Sequence, residues 1–304
     1  MRVLVTGAHG LLGRSLVQEG AGLELITCGR REEHVGPAYH RIDLADSAAV
    51  ESLIAATAPD WVIHTAAWTD VDGCEADPDR ARRVNLELVR ALGTACSTRG
   101  TRLVQLSTDY VFDGRGGPYS EADEPNPLSH YGRIKLESER VVLEGDSPGL
   151  VVRTLWLYGH APGVRRNLVT WPLQALARGA SLRIADDQWG NPTFATDLAR
   201  AILDLCKRDC RGLYHAGGAD FMTRLKLVEE LASTFGFDTG SIVPTPTAEI
   251  GQLAERPLRS GLKSGKTEAE LGRPMLGLGA GLDEMRAQSC FRTEFEEFLS
   301  DVAG

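Results

Sequence analysis

The chain has 304 residues, 42% of them hydrophobic, six cysteines and a formal charge of −9. That is enough apolar material for a large α/β core, and it excludes a fibrous or disordered chain. With no block of five like charges a nucleic-acid surface is not expected, and no apolar run approaches the roughly 20 residues of a membrane span.

Met1 leads straight into the strand-like "RVLVTG" without a signal-peptide pattern, so a soluble, cytoplasmic protein with reduced cysteines is expected. Further β-rich, continuously apolar runs follow: "LELITC", "DWVIHTAA", "TRLVQLST" and "GLVVRTLWLYG". Such runs suit strands buried on both faces. Helical patterns at 11 to 19, 46 to 57, 78 to 99 and 129 to 144 separate them. Strand then helix, repeated, predicts a doubly wound parallel sheet.

After Gly159 the rhythm changes. "HAPGVRRN" leads to a helix near 167 to 178 and the short strand "SLRIA", where a smaller lobe begins. A helix over 196 to 207 and the strand "GLYHAG" return to the main sheet. The stretch 240 to 282, rich in Pro, Gly, Thr and Ser, is expected to wrap the small lobe. The expected division is a dinucleotide-binding domain over 1–158 and about 193–217, with an interleaved substrate-binding lobe over about 159–192 and 218–304.

"VTGAHGLLG" sets Gly7, Gly10 and Gly13, with Leu11 and Leu12 between them, after the first strand and at a helix start. Glycines there let backbone approach a pyrophosphate, and the helix end offers unpaired N–H groups, the mark of a Rossmann-type sheet. His9 reads as a tolerated loop residue. The second strand ends in "LITCGRREE", with Arg30 where an acid would hold a ribose 2′-hydroxyl; an arginine there suits a 2′-phosphate, so NADPH is favoured over NADH. Glu32 or Glu33 could still fold back, and Arg30 and Arg31 could be ordinary loop solvation. In "RIDLAD", Asp43 could accept from an adenine amino group beside an apolar Leu44, while Asp46 or Ser47 caps the next helix.

"STDYVFDG" ends the fourth strand with Ser107, Thr108 and Asp109. In "LSHYGRIKLESER", Tyr131 and Lys135 are four apart and share a helical face, with Arg133, Glu137, Glu139 and Arg140 read as the solvated side. On spacing alone the pair could be surface residues, and strand-end hydroxyls can be caps. As a set they suit ketone reduction, in which the alkoxide left by hydride transfer needs a proton at once. A lysine ammonium about 4 Å away is worth about 4 kcal/mol at an effective dielectric of 20, roughly 3 pKa units, which would bring a tyrosine toward working pH. Thr108, or less readily Ser107, would hold the ketone oxygen.

The G-x-x-G-x-x-G spacing resembles that of the extended short-chain dehydrogenase/reductase family. "STDYVFDG", "YGRIKLESE", "RTLWLYG", "DDQWGNPT", "GLYHAGG" and "RPLRSGL" occur in the order seen in dTDP-4-dehydrorhamnose reductases, over about residues 1 to 285. This resemblance implies NADPH-dependent reduction of a dTDP-4-keto-6-deoxy sugar, with Tyr131, Lys135 and Thr108 catalytic and NADH possible. It further implies that Asp43 and Leu44 flank the adenine, that Ala67, Trp68 and Thr69 lie along the cofactor, that Asn85 approaches the site, and that Asp109, Trp156 and Asn167 meet the sugar nucleotide. Arg256, in its "RP" motif, is the preferred cation for the diphosphate, ahead of Arg165 and Arg166. Trp171 and Trp189 read as lobe-packing aromatics.

The chain departs from the family pattern at His64, Ile134 and Leu168, the last replacing an aromatic after Asn167, which leaves the sugar open. Ser15 stands where some members carry a glutamate implicated in a metal-linked dimer, so neither that metal nor that dimer is carried over; a homodimer stays open. The resemblance also reaches the β subunit of methionine adenosyltransferase, a non-catalytic reading. The C-terminal Phe291, Phe295, Phe298 and Leu299 keep helical spacing, to pack on the body or on a partner.

Overall fold

The computed structural model describes residues 1–146 and 149–303, leaving the side chains of 299–303 aside; Leu299 of the C-terminal pattern lies outside the described side chains. Seven parallel strands make the central sheet: β1 (Arg2–Thr6), β2 (Glu24–Gly29), β3 (Tyr39–Arg41), β4 (Trp61–His64), β5 (Arg102–Thr108), β6 (Leu150–Thr154) and the edge strand Gly212–His215. Across the sheet they run Gly212–His215, β6, β5, β4, β1, β2, β3. The chain winds outward both ways from β1, so the order reverses between β1 and β4, and a crevice opens beyond their carboxyl ends.

The apolar runs are strands because both faces are covered. Val3 and Val5 of β1 point to one core with Leu12 and Leu16 of α1 (Leu11–Glu19), while Leu4 points to the other with Val50 and Ile54 of α2 (Ser47–Thr57). That alternation is the period of two of a strand. Asp46 caps α2, its carboxylate accepting from Ala49 N at 3.0 Å.

The helix expected over 78 to 99 is three segments. A short α3 (Val71–Ala76) precedes α4 (Pro78–Arg82), which widens into a π-turn over Arg83–Glu87 before α5 (Leu88–Ser97) resumes. Asp70 and Asp77 cap α3 and α4. Next in the chain, α6 (His130–Leu143) is capped by Ser129 and packs on β5.

A second core forms around Leu182–Ala185, paired in parallel with Ile242–Thr245. It includes α7 (Thr170–Ala177), α9 (Arg224–Phe235), α11 (Leu278–Ala287) and α12 (Ser289–Ala303). Between these elements α8 (Ala195–Lys207) covers the main sheet beside α1. The stretch 240 to 282 does not simply wrap the second core. Its α10 (Gly265–Leu271) lies on α8 and the edge strand, and Leu271 and Met275 join the main core. Phe291 is buried and stacks on Phe295 at 5.2 Å against Phe235, so the described part of the C-terminal aromatic stripe packs on the body. Among the described residues no helix is long and apolar enough to cross a membrane.

Candidate active site

The carboxyl ends of β1, β4 and β5 open into a cleft of about 1370 Å³ whose far wall belongs to the second core. Gly7, Gly10, Leu11 and Leu12 line its floor. Gly7 has a φ of +72°, and a Cβ there would sit 2.7 Å from Ala66 N, so only glycine fits. Gly10 is the N-cap of α1 and brings no side chain to it, leaving the helix's first N–H groups toward the cleft. Gly13 does not line the cleft; it lets α1 abut Gly7 and Ala8.

At the β2 end Arg30 and Arg31 line the cleft. Neither forms an ion pair among the described residues, and the two acids that could have folded back are engaged elsewhere. Glu33 pairs with Arg14 at 2.6 Å, which holds its carboxyl below the ordinary value, and Glu32 pairs with Arg41 at 3.2 Å. His9 is more than a tolerated loop residue. It lies edge-on to Tyr39, its Nε2 2.8 Å from the Glu33 carbonyl, and so ties the glycine loop to the β2 end. Asp43 and Leu44 line the same end, with Asp43 accepting from Ala45 N at 3.0 Å. An anionic dinucleotide with a 2′-phosphate fits these donors and cations.

Ala67, Trp68 and Thr69 continue the wall after β4. Asn85 reaches the site at one remove. It is buried in the π-turn, its Oδ1 accepting from Trp68 N at 2.8 Å and its Nδ2 donating to Trp68 O at 2.9 Å. Arg80 lies over the Trp68 ring at 4.3 Å.

Thr108, Asp109, Tyr131 and Lys135 meet in the middle of the cleft, each less than a tenth exposed. Gly132 is why they meet: a Cβ there would collide with the Tyr110 carbonyl, so its absence lets α6 close on the end of β5. Thr108 donates to Asp109 Oδ1 at 3.1 Å. Burial pushes Asp109 up to about 6, against hydrogen bonds from Ser260 and Thr108.

The expected tuning of Tyr131 by Lys135 is not what the geometry gives. Burial, with the charges of Cys74, Asp109 and Tyr110, raises the phenol above its ordinary value, opposed weakly by the neighbouring Thr108 hydroxyl. Lys135 instead donates to the Leu106 carbonyl at 2.5 Å, and its own burial lowers it to about 8. The ammonium is thus anchored on the β5 backbone, and the phenol is raised rather than lowered. His64, at a departing position, is pushed down to about 3 by burial and by Lys135, and is therefore neutral; its Nδ1 lies 2.7 Å from Thr6 Oγ1.

Glu139 is not on the solvated side. Four residues beyond Lys135, it shares the buried face and forms an ion pair with Arg153, at 2.8 Å to Nε and 2.7 Å to Nη2. It also accepts from the Ser107 hydroxyl, so of the two strand-end hydroxyls only Thr108, held by Asp109 Oδ1 at 3.1 Å and Tyr110 N at 3.2 Å, is not tied to this ion pair. Counting i, i+4, i+8 from Tyr131 would have found Glu139 in the sequence.

The far wall carries Trp156, Asn167 and Arg256. Trp156 holds a left-handed φ of +45°, uncommon for a non-glycine residue, with the Arg224 guanidinium over its ring at 4.6 Å. Asn167 spends its amide on backbone, donating to Gly159 O at 2.7 Å and accepting from Val169 and Thr170 N–H groups. Arg256, the preferred free cation, is bound to Asp72 at 3.0 Å and nearly buried. Arg165 and Arg166 are exposed on the cleft and without an ion pair among the described residues. Trp189 packs with Phe221, but Trp171 is 45% exposed on the cleft rather than packed in the lobe. Sequence reasoning missed Arg224 and Gln188, joined at 2.7 Å; no spacing rule singles them out.

The family model described as "RmlD substrate binding domain" matches residues 1–289. The chain is 37% identical to a dTDP-4-dehydrorhamnose reductase of Streptomyces griseus over 96% of this chain and 95% of that protein. It is also 37% identical to a dTDP-4-keto-6-deoxy-D-glucose reductase of Streptomyces niveus, over 84% and 86% of the two chains. Methionine adenosyltransferase 2 subunit beta of Danio rerio is 33% identical over 88% and 84%. The crystal structure of a dTDP-4-dehydrorhamnose reductase from Bacillus anthracis in complex with NADP superposes with a TM-score of 0.84, at 27% identity over 93% and 98%. The chain belongs to the RmlD substrate binding domain family.

Proposed function

We propose that this protein is an NADPH-dependent oxidoreductase that reduces the 4-keto group of a dTDP-4-keto-6-deoxy sugar, converting dTDP-4-dehydro-β-L-rhamnose to dTDP-β-L-rhamnose. The observation that carries this reading is the meeting of Thr108, Tyr131 and Lys135 in one cleft, between a glycine loop with unpaired arginines and an aromatic wall. Gly7, Gly10, Leu11 and Leu12 with the α1 end hold the pyrophosphate, Arg30 and Arg31 the 2′-phosphate, and Asp43 and Leu44 the adenine. NADPH supplies the hydride that reaches C4. Ala67, Trp68 and Thr69 shape the wall beside it, and Lys135 holds the nicotinamide ribose.

Burial keeps the Tyr131 phenol protonated through neutral pH, so its proton is in place when the alkoxide forms. Thr108 fixes the ketone oxygen at the Tyr131 hydroxyl, which gives its proton to that oxygen as hydride adds to carbon. Asp109 and Trp156 flank the sugar, Asn167 braces the loop after Gly159 beside it, and the diphosphate falls to Arg165 and Arg166. We read 159–192 and 218–304 as the substrate lobe, apart from the stretch 265–275 that packs on the main core, and 1–158 with 193–217 as the cofactor domain. The same reading places the enzyme in the cytoplasm, acting as monomer or homodimer on a small nucleotide sugar, with neither nucleic acid nor membrane as partner and no metal.

The test is NADPH consumption with a panel of dTDP-4-keto-6-deoxy sugars. Tyr131→Phe should lose turnover by about a thousandfold or more while its NADPH affinity stays within twofold. Full activity in that variant would overturn the assignment. The kinship to a methionine adenosyltransferase subunit supports a second, regulatory reading. It gains if no keto sugar is reduced and the chain co-purifies with a synthetase.

A further inference from the structure

We propose that Trp171 is the stacking platform for the nucleobase of the sugar nucleotide, and that it sets the affinity for the nucleotide half of the substrate. The inference rests on the reductase reading for the identity of the ligand. Its geometry is independent of the chemistry at Tyr131.

The cleft volume of about 1370 Å³ exceeds the roughly 300–1,000 Å³ of a site for one drug-sized ligand, so it has room for a dinucleotide and a second ligand. One end is assigned by the glycine loop, Arg30 and Asp43, and the middle by Tyr131 and Lys135. A nucleotide sugar whose keto group sits at Tyr131 must run its diphosphate and base toward the remaining end. That end is the second core, where Arg165 and Arg166 come first in the chain and Trp171 follows.

A single exposed apolar side chain on a convex surface needs no explanation. Trp171 differs because it is 45% exposed on a concave wall, and because no ring or guanidinium covers the indole among the described residues. Four other tryptophans show the contrast. Trp61, Trp68, Trp156 and Trp189 each have a guanidinium over the ring. The backbone beneath Trp171 is also fixed before any ligand arrives. Trp171 N donates to Asn167 O at 3.0 Å, Thr170 Oγ1 accepts from Asn167 N at 3.0 Å, and Asn167 Oδ1 accepts from Val169 and Thr170. An aromatic face held on a stapled helix start loses little freedom when a flat ring covers it. Leu168, Pro172 and Ile250 supply apolar edges along the same wall. Residue 168, aromatic in the family pattern, is leucine here; Trp171 lies three residues on, on the adjacent turn of that helix start, and restores an aromatic to the wall.

The experiment measures dTDP, inorganic pyrophosphate and NADPH affinities by calorimetry, and KM and kcat with the best keto sugar, for the wild type, Trp171→Phe and Trp171→Ala. Expected is a loss of dTDP affinity of about tenfold to hundredfold in Trp171→Ala, the range for one lost base stack, and a parallel rise in KM. Trp171→Phe should stay within about threefold of the wild type. Pyrophosphate affinity, NADPH affinity and kcat should each move less than twofold. Unchanged dTDP affinity in Trp171→Ala overturns the proposal, as does a wild type that does not bind dTDP. So does an equal loss for pyrophosphate, or a change of oligomeric state on removing the indole, which would assign it to an interface between copies. If dTDP binding behaves as stated but no keto sugar is reduced, the reductase reading fails and the platform stands.

Discussion

Glu139 of α6 and Arg153 of β6 form a two-point ion pair, at 2.8 and 2.7 Å, directly beneath the Ser107 hydroxyl and one turn from Lys135. Both side chains are essentially buried. Breaking one partner therefore strands a charge, whereas removing both does not. Glu139→Gln should cost about 3–5 kcal/mol in urea denaturation, and Glu139→Met with Arg153→Met should recover most of it. Both variants should lower kcat, because Ser107 and the Lys135 face of α6 lose their support. Wild-type stability in Glu139→Gln would show that the pair is not a keystone.

Above about pH 8, where folded Lys135 loses its proton, activity and the Lys135 contribution to stability change in opposite directions. Burial lowers Lys135 to about 8 and raises Asp109 to about 6, while Tyr131 stays protonated through this range. kcat/KM for keto-sugar reduction should therefore be bell-shaped, with limbs near 6 and 8. Between about 8 and the ordinary lysine value, the unfolded chain binds the proton that folded Lys135 has given up, so its contribution makes stability rise with pH. Lys135→Met should remove this rise and increase Tm at pH 7, at roughly 2 °C per kcal/mol for a chain of this length, while activity is lost. A Tm that falls in that variant at pH 7 would refute the cost assigned to the buried ammonium.

Much of this site was legible because its signals are local. Glycines after a strand, a tyrosine and lysine one turn apart, and strand-end hydroxyls each follow from backbone periodicity or loop geometry. What was not legible depends on partners distant in sequence. Arg256 reads as a free cation until Asp72, 184 positions earlier in the chain, is found against it. Lys135 reads as the tuner of Tyr131 until its ammonium is seen on the Leu106 carbonyl. Trp171 reads as core until α7 turns its second residue to the cleft. The α/β order gave the main sheet, but the docking of α10 on α8 is a tertiary choice that a loop-rich composition does not reveal.

Cofactor preference should follow the two unpaired arginines at the β2 end. Arg30→Ser and Arg31→Ser should each raise KM for NADPH by about tenfold or more, the worth of a hydrogen bond to a charged group, and leave KM for NADH within threefold. Steady-state kinetics with both cofactors reads this out. Equal effects on the two would mean that the arginines serve the pyrophosphate or the loop rather than a 2′-phosphate.

Asn85 gives the last expectation, since it lies off the cleft yet controls a residue on it. The π-turn over Arg83–Glu87 adds one residue to a helix that would otherwise be regular, and so carries the Asn85 amide inward to both backbone groups of Trp68. Asn85→Ala leaves the part-buried Trp68 N–H without its partner, at about 1–3 kcal/mol, and leaves the Trp68 carbonyl only the weak Cys74 thiol donor at 3.5 Å. The released Trp68 backbone borders the expected nicotinamide half of the cofactor, so KM for NADPH should rise severalfold while KM for the nucleotide sugar moves little. Asn85→Asp retains the acceptor for Trp68 N and loses the donor to Trp68 O, and should fall between. If thermal stability drops in Asn85→Ala but both KM values hold, the clamp is a folding device and has no part in shaping the cofactor wall.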